Sequence, residues 1–495
     1  MQITSLHIEN YKLLQKFTIN FHKDVSILIG INGSGKSTIL EAIAQIFSDA
    51  FLKEKSKFGF TLNYKLRLEE ILEQTVTTSE FKTEYIKVEI SATTKNEVLK
   101  FKVFVADKVL EKETEIEKHF GTFEKILPSN IVIYYSGLAE IMKEICKPHD
   151  EKLSVNYRKG NVNIQRPFFY FEPPLFNLIL LTLLSYEYGE IPEFLAKKAK
   201  INGIQNITIR LKKPSWGKGK IQNWWGAKGE VKSLLDYLDS IGKPLVIDDN
   251  TPNSGRSGNV VIEGWQNEAL IITIIGQEKL FELKEHFVEE KTLFKILNTL
   301  IIDGFAPEVE FHFVGDEGNF NALSEGEQQA IIVRGLVELV NNENTLFLFD
   351  EPDTYQHPSW QRSFIEEINK LADSKDFSTS QFIITTHSPQ LLSNADPSTC
   401  DVQILEEGEI VKVTPKYYGR DISTILYEMM GVERRNKKVA KSLKDLFSLI
   451  EDEDLAQSKE KYAELAELLG EDDPAIVNAK LQIEYLEEAN NEADK

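Results

Sequence analysis

Residues Gly30-Ile31-Asn32-Gly33-Ser34-Gly35-Lys36-Ser37 match the pattern GxxxxGK[ST], and Thr38 follows them. Glycines at this spacing let backbone N–H groups turn inward around an anion. A helix opening directly behind them adds its positive end. The loop Asn32, Gly33, Ser34 and Gly35 is therefore expected to cradle phosphate. Lys36 should reach the β/γ-phosphates, Ser37 should hold Mg²⁺, and Thr38 should lie near the α-phosphate. Far along the chain, TLFLFDE (345–351) is an apolar run ending in two carboxylates and followed by Pro352. Asp350 suits the water shell of the metal, and Glu351 suits the attacking water. FIITTH (382–387) is a second apolar run, ending in His387. A lone histidine is usually structural. At the phosphate edge of the same sheet it is a candidate contact to the γ-phosphate.

A fourth piece, Leu323-Ser324-Glu325-Gly326-Glu327, opens a helix that is expected to run to about Leu339. Ser324 and Gly326 offer a hydroxyl and bare N–H groups to an anion. The plain alternative is a capping box in which Ser324 caps the helix and Glu327 answers it.

These residues need elements to hold them. Phe17, Ile19 and Phe21 alternate at period two, as do Leu6 and Ile8 with Ile3 out of register, so the opening reads as two strands around a turn. VSILIG (25–30) suits a buried parallel strand, and STILEAIAQIF suits the helix after the glycine loop. Segments 84–92 and 97–105 read as paired strands, SNIVIYY (129–135) as another buried strand, and about 359–371 as a helix. Residues from about 150 to 290 differ, with a Pro-rich FFYFEPP, a basic stretch, and the loop 248–259, and read as an insertion. The tail from about 421 carries helical patterning like a helical hairpin.

Taken in this order, the four pieces resemble the ATP-binding-cassette class of P-loop ATPases over roughly residues 1–145 and 300–425. The resemblance implies an α/β fold: a P-loop ABC-type ATPase head of mixed sheet and flanking helices, with an inserted α+β lobe and a C-terminal helical hairpin. The expected divisions are 1–149 and 300–424 for the two halves of the head, 150–299 for the lobe, and 425–495 for an acidic helical tail. ATP and Mg²⁺ are the implied cofactors. Ser324 and Gly326 would bind the ATP of a second copy, in a homodimer with two ATPs sandwiched, and His387 would be the switch histidine. HIENYKLLQKFTINF, DEPDTYQHP and TTHSPQLL resemble the SMC, RecF and OLD branch, in which Asn10 to Lys12 would lie near the adenine. His357 stands where transporter cassettes place an aspartate, and only the segment near Ser136 is a candidate for the Q-loop. Long heptad arms are lacking, and the residues after His387 carry no nuclease pattern. RPFFYFEPP, LKKPSW, YGRDISTILYEMMGV and LLGEDDP resemble the PtuA-type ATPase subunits of Septu anti-phage defence pairs, also found with some retrons. That likeness implies a separate HNH-type nuclease as partner.

Charge sharpens the choice of partners. The 495 residues carry a formal net charge of −21, which disfavours bulk attraction to nucleic acid. Residues 451–495 hold 15 acidic and 4 basic residues, a surface suited to a basic protein partner. Residues 197–232 hold 10 basic residues and one acidic, with Trp216, Trp224 and Trp225 among them. That stretch could bind DNA or RNA by phosphate contacts and stacking, as a stand-alone RecF-like repair ATPase would require. The plain alternative has its tryptophans filling the lobe's own core. A third reading is an ATP-gated clamp that hydrolyses slowly or not at all. Two cysteines exclude a disulfide scaffold. The run Leu175–Leu184 is too short to cross a bilayer, so a cytoplasmic protein is expected.

Overall fold

A computed structural model describes residues 1–67, 85–105, 108–137, 140–159, 166–218, 221–247, 269–315, 323–354, 356–372, 380–432 and 435–493. The expected loop 248–259 and Lys220 lie outside the described residues. The chain forms two compact units, Met1–Arg420 and Asp421–Lys495.

The first unit is built on a seven-stranded sheet. Its order is Glu409–Ile410, Cys400–Glu406, Val25–Ile29, Gln381–Thr386, Thr345–Asp350, Asn130–Tyr135, Phe168–Tyr170. All neighbours pair in parallel except the first pair, which is antiparallel. Val25–Ile29, Thr345–Asp350 and Gln381–Thr386 are buried along their whole length. This explains their unbroken apolar runs, because helices cover both faces of a parallel sheet. The register pairs Ile29 with Thr386 and Asp350 with Thr385, so the three strands end level.

A six-stranded antiparallel sheet opens with Gln2–Tyr11 and Leu14–Asn20 and continues through Phe60–Arg67, Tyr85–Ala92, Lys100–Val105 and Lys108–Leu110. Its apolar face packs into one core with the helix Lys36–Leu52. The break in alternation at Ile3 has a physical cause: the pairing with Phe60–Arg67 shifts register between Ile3 and Ser5. This bulge returns Ile3 to the face of Leu6 and Ile8, and all three are buried.

The third sheet, Lys243–Ile247, Ala269–Ile275, Ile204–Lys212 and Glu308–Phe313, is antiparallel. It corrects the expected insertion boundaries. The helix Ile141–Arg158 runs through position 150, and the strand Glu308–Phe313 lies beyond 299. Nor does the insertion form a separate unit. The helix Pro173–Leu183, started by Pro173 at its first position, lies against Glu325–Val340 so closely that a Cβ on Gly335 would stand 2.1 Å from Ile179 Cγ2.

In the second unit the expected hairpin is Lys437–Glu451 and Leu455–Leu469, and a third helix, Pro474–Ala493, joins it. Leu446, Leu465, Ile476 and Ala479 form the shared core. Arg435 holds Asp473 by two hydrogen bonds of 2.8 and 2.7 Å at the start of that third helix. In the acidic run, Glu451 ends the first helix and Asp452 to Asp454 form the turn to the second, which Asp454 caps.

Candidate nucleotide-binding site

The glycine loop sits between the end of Val25–Ile29 and the helix Lys36–Leu52. Gly33 and Gly35 have φ of 78° and 110°, conformations that side chains rarely adopt. Gly30 meets a different demand: a Cβ there would stand 2.2 Å from the Leu405 carbonyl oxygen. Gly408 N–H also donates to Ser34 O at 3.1 Å, tying the loop to the turn after Cys400–Glu406.

The helix behind the loop begins at Gly35 with no side-chain cap and no acidic residue in its first turn. Its positive end is left open to an anion. Ser34 Oγ is buried without a hydrogen-bond partner, an orphaned donor inside the cradle. By contrast, Ser324 caps the helix Glu325–Val340 with a complete capping box, and Glu325 and Glu327 both lie in its first turn. Ser324 Oγ donates to Glu327 Oε2 at 2.9 Å.

Lys36 is buried, and its ammonium donates to Gly30 O at 3.0 Å and Ile31 O at 3.3 Å. It also lies 2.8 Å from His387 Nε2. Burial lowers its pKa, against the pull of Glu351 and Asp350. Ser37 Oγ donates to Asp350 at 2.9 Å, and Thr385 Oγ1 donates to the same carboxylate at 2.6 Å. Burial raises the pKa of Asp350, and those two donors oppose it. A hydroxyl beside a carboxylate is a hard oxygen donor set that fits Mg²⁺.

Glu351 stands at φ 49°, a left-handed conformation that costs a non-glycine residue about 1–3 kcal/mol. Its N–H is held by Thr385 O at 3.0 Å. Its Oε1 meets His387 Nε2 at 3.0 Å. That bond holds the Glu351 carboxyl below its usual range, against partial burial. The structure thus gathers Lys36, Ser37, Asp350, Glu351 and His387 at one edge of the sheet, from three adjacent strands.

Other expected residues stand elsewhere. Asn32 is exposed on the loop, and Thr38 lies in the first turn behind it. Lys12 pairs with Glu41 and lies over the Tyr11 ring. Ser324 and the buried Gly326 have no hydrogen bond or ion pair to the phosphate-loop cluster among the described residues. His357 is local, accepting from Ser359 N at 3.3 Å where the helix Pro358–Ala372 begins.

The tryptophans of the basic stretch turn inward. Trp225 is fully buried against Phe305, and Trp224 donates to Asp236 and is itself buried. Trp216 donates to Asp303 O at 2.7 Å. The two buried rings present no face for stacking a base.

Thr385, Thr386 and Asp353 are residues that the motifs did not single out. Asp353 is 2% exposed and accepts from Thr386 Oγ1 at 2.9 Å, and burial lifts its pKa to about 6. Thr386 Oγ1 accepts in turn from Ser388 N at 2.9 Å. Two hydroxyls closing an otherwise apolar strand were the signal that could have found them.

With the geometry established, the sequence matches the AAA ATPase domain over residues 1–167 and 260–392, more than half of the chain. The chain belongs to the AAA ATPase domain family. Inside this family framework, residues 168–259 fall between the two matched stretches. The chain is similar to the retron Ec83 probable ATPase of Escherichia coli, at 25% identity over 98% of this chain and 87% of that protein. It is also similar to the Septu protein PtuA of Bacillus thuringiensis, at 23% identity over 45% of this chain and 61% of that protein. The DNA replication and repair protein RecF of Staphylococcus haemolyticus matches at 21% identity, over 83% of this chain and all of that protein. No helix among the described residues is long and apolar enough to cross a membrane.

Proposed function

We propose that the chain is an ABC-type ATPase that serves as the sensor subunit of an anti-phage defence complex and controls a separate HNH-type nuclease. The observation that carries the ATPase part is the convergence of Lys36, Ser37, Asp350, Glu351 and His387 on one sheet edge. The similarity to a retron ATPase along 98% of this chain supports the defence setting.

Lys36 and the loop N–H groups bind and orient the triphosphate. Ser37 and Asp350 would hold Mg²⁺, which when bound neutralises charge on the phosphate oxygens. Glu351, kept ionised by His387, accepts a proton from the attacking water. His387 orients that carboxylate and faces the γ-phosphate end. In a homodimer, Ser324 and Gly326 of one copy would close over the ATP of the other, which requires Ser324 Oγ to leave Glu327. Lys12 and its neighbours would flank the adenine.

Co-purification with an HNH nuclease encoded beside it tests the regulatory part. The full chain should retain that nuclease, and a chain lacking 421–495 should lose it while keeping its ATPase rate. Retention by the truncated chain, or no association at all, contradicts the assignment. The second reading, a RecF-like ATPase, is favoured by the full-length match to RecF. The inward tryptophans weigh against base stacking as its way of holding DNA.

A further inference from the structure

Thr385 lies near the end of the strand Gln381–Thr386 and pairs in register with Asp350, the last residue of Thr345–Asp350. It is fully buried. A hydroxyl inside an otherwise apolar strand costs free energy unless it is hydrogen-bonded. Its common partner in proteins is a backbone group or water. Thr385 Oγ1 instead serves two groups at the end of the neighbouring strand. It donates to Asp350 Oδ1 at 2.6 Å and accepts from the Glu351 N–H at 3.2 Å. An N–H can only donate, so the single hydroxyl proton is committed to the carboxylate.

The two bonds have different consequences. A hydrogen bond to a carboxylate is stronger than one between neutral groups. Ser37 Oγ donates to the same oxygen at 2.9 Å and reaches Oδ2 at 3.1 Å. With Oδ1 taken by both hydroxyls, Oδ2 is the oxygen with more room for a metal or its water. The second bond joins the one that the Thr385 carbonyl accepts from the same Glu351 N–H at 3.0 Å. Glu351 has a left-handed φ of 49°, which persists only where the surroundings over-determine it. Thr385 supplies both acceptors. Its β-branched side chain is stiff at χ1, so the place of Oγ1 follows from the strand. The next residues continue the pattern: Thr386 Oγ1 donates to Asp353 at 2.9 Å, and His387 meets Glu351 Oε1 at 3.0 Å.

We infer that Thr385 is a positioning residue for ATP hydrolysis, whose hydroxyl orients the Asp350 carboxylate for Mg²⁺ and fixes the backbone of Glu351 for the attacking water. The inference rests on the roles proposed above for Asp350 and Glu351, and Thr385 acts through both.

Thr385→Val in the full chain removes the hydroxyl and keeps the shape and the backbone carbonyl. Calorimetric titration of ATP at graded Mg²⁺, and in EDTA, is read beside kcat and KM. The Mg²⁺ concentration for half of the metal-dependent affinity should rise about tenfold or more, and kcat should fall by at least as much. ATP affinity in EDTA, and KM at saturating Mg²⁺, should stay within a few-fold of the parent. Thr385→Ser, which keeps the hydroxyl, should restore both the Mg²⁺ midpoint and kcat. Thr385→Ala takes the place of the valine chain in the same comparison if that chain does not fold. A parental Mg²⁺ midpoint and kcat without the hydroxyl overturn the inference. So does a serine chain as impaired as the valine chain, which makes the methyl group the part that matters, or a loss of ATP affinity in EDTA that matches the loss in Mg²⁺. A parent chain that binds no Mg-ATP overturns the roles of Asp350 and Glu351 as well.

Discussion

His387 Nε2 stands 3.0 Å from Glu351 Oε1 and 2.8 Å from Lys36 Nζ. One ring nitrogen cannot donate to the carboxylate and accept from the ammonium at once. Its single proton therefore decides which partner is held, and the histidine links the glycine-loop lysine to the Glu351 carboxylate.

Glu351→Gln keeps the shape of the side chain and removes its basicity. Phosphate release should fall by about 10²–10⁴-fold, with ATP affinity within a few-fold of the parent. Hydrolysis at the parental rate would falsify the role given to Glu351.

His387→Ala removes the bond that keeps the Glu351 carboxyl below its usual range. The freed carboxyl should protonate at higher pH than before. The acid limb of the rate profile therefore moves up in pH, a change read from steady-state rates between pH 4 and 8. A limb that stays in place means that His387 does not set the ionisation of Glu351.

Asp353→Asn addresses the carboxyl that burial lifts from 3.8 to about 6. A raised carboxyl binds its proton more tightly in the folded chain. Its stabilising contribution is thus present below about pH 4 and is lost as pH rises through about 6. The amide oxygen of the variant can still accept from Thr386, so melting temperature should depend less steeply on pH in that window. An unchanged slope contradicts the assignment.

Gly30→Ala drives a Cβ to 2.2 Å from the Leu405 carbonyl oxygen. Neither strand can yield cheaply, so the substitution should cost about 1–3 kcal/mol in a denaturant melt. Trp225→Ala should cost about 3–5 kcal/mol, because that ring is core. Were Trp225 a stacking platform, its loss would lower affinity for single-stranded DNA and leave stability unchanged.

Much of this was legible in the sequence, and the reasons differ by residue. The runs ending at Ile29, Asp350 and Thr386 are mostly apolar because a parallel sheet buries both faces, so their strand assignments followed from composition, and their shared edge from the motifs that close them. Ile3 broke the period because a bulge, set by a neighbouring strand, consumes one residue. The capping box of Ser324 was visible at its spacing, but whether the serine serves its own helix or an opposing phosphate is a tertiary matter. The left-handed turn at Glu351 and the Asp353–Thr386 bond were hidden, since they depend on strands that meet only in the folded chain. The tryptophans of the basic stretch were ambiguous for the same reason: composition does not tell which face of the lobe is interior.

The central claim is that the gathered cluster binds Mg-ATP and that a second copy closes over it. Light-scattering mass of the Glu351→Gln chain, with and without Mg-ATP, tests it most directly. The account predicts twice the monomer mass only with Mg-ATP, and a return to monomer when Lys36→Ala or Ser324→Arg is added. A mass that Mg-ATP leaves unchanged, or a dimer indifferent to both substitutions, would contradict it.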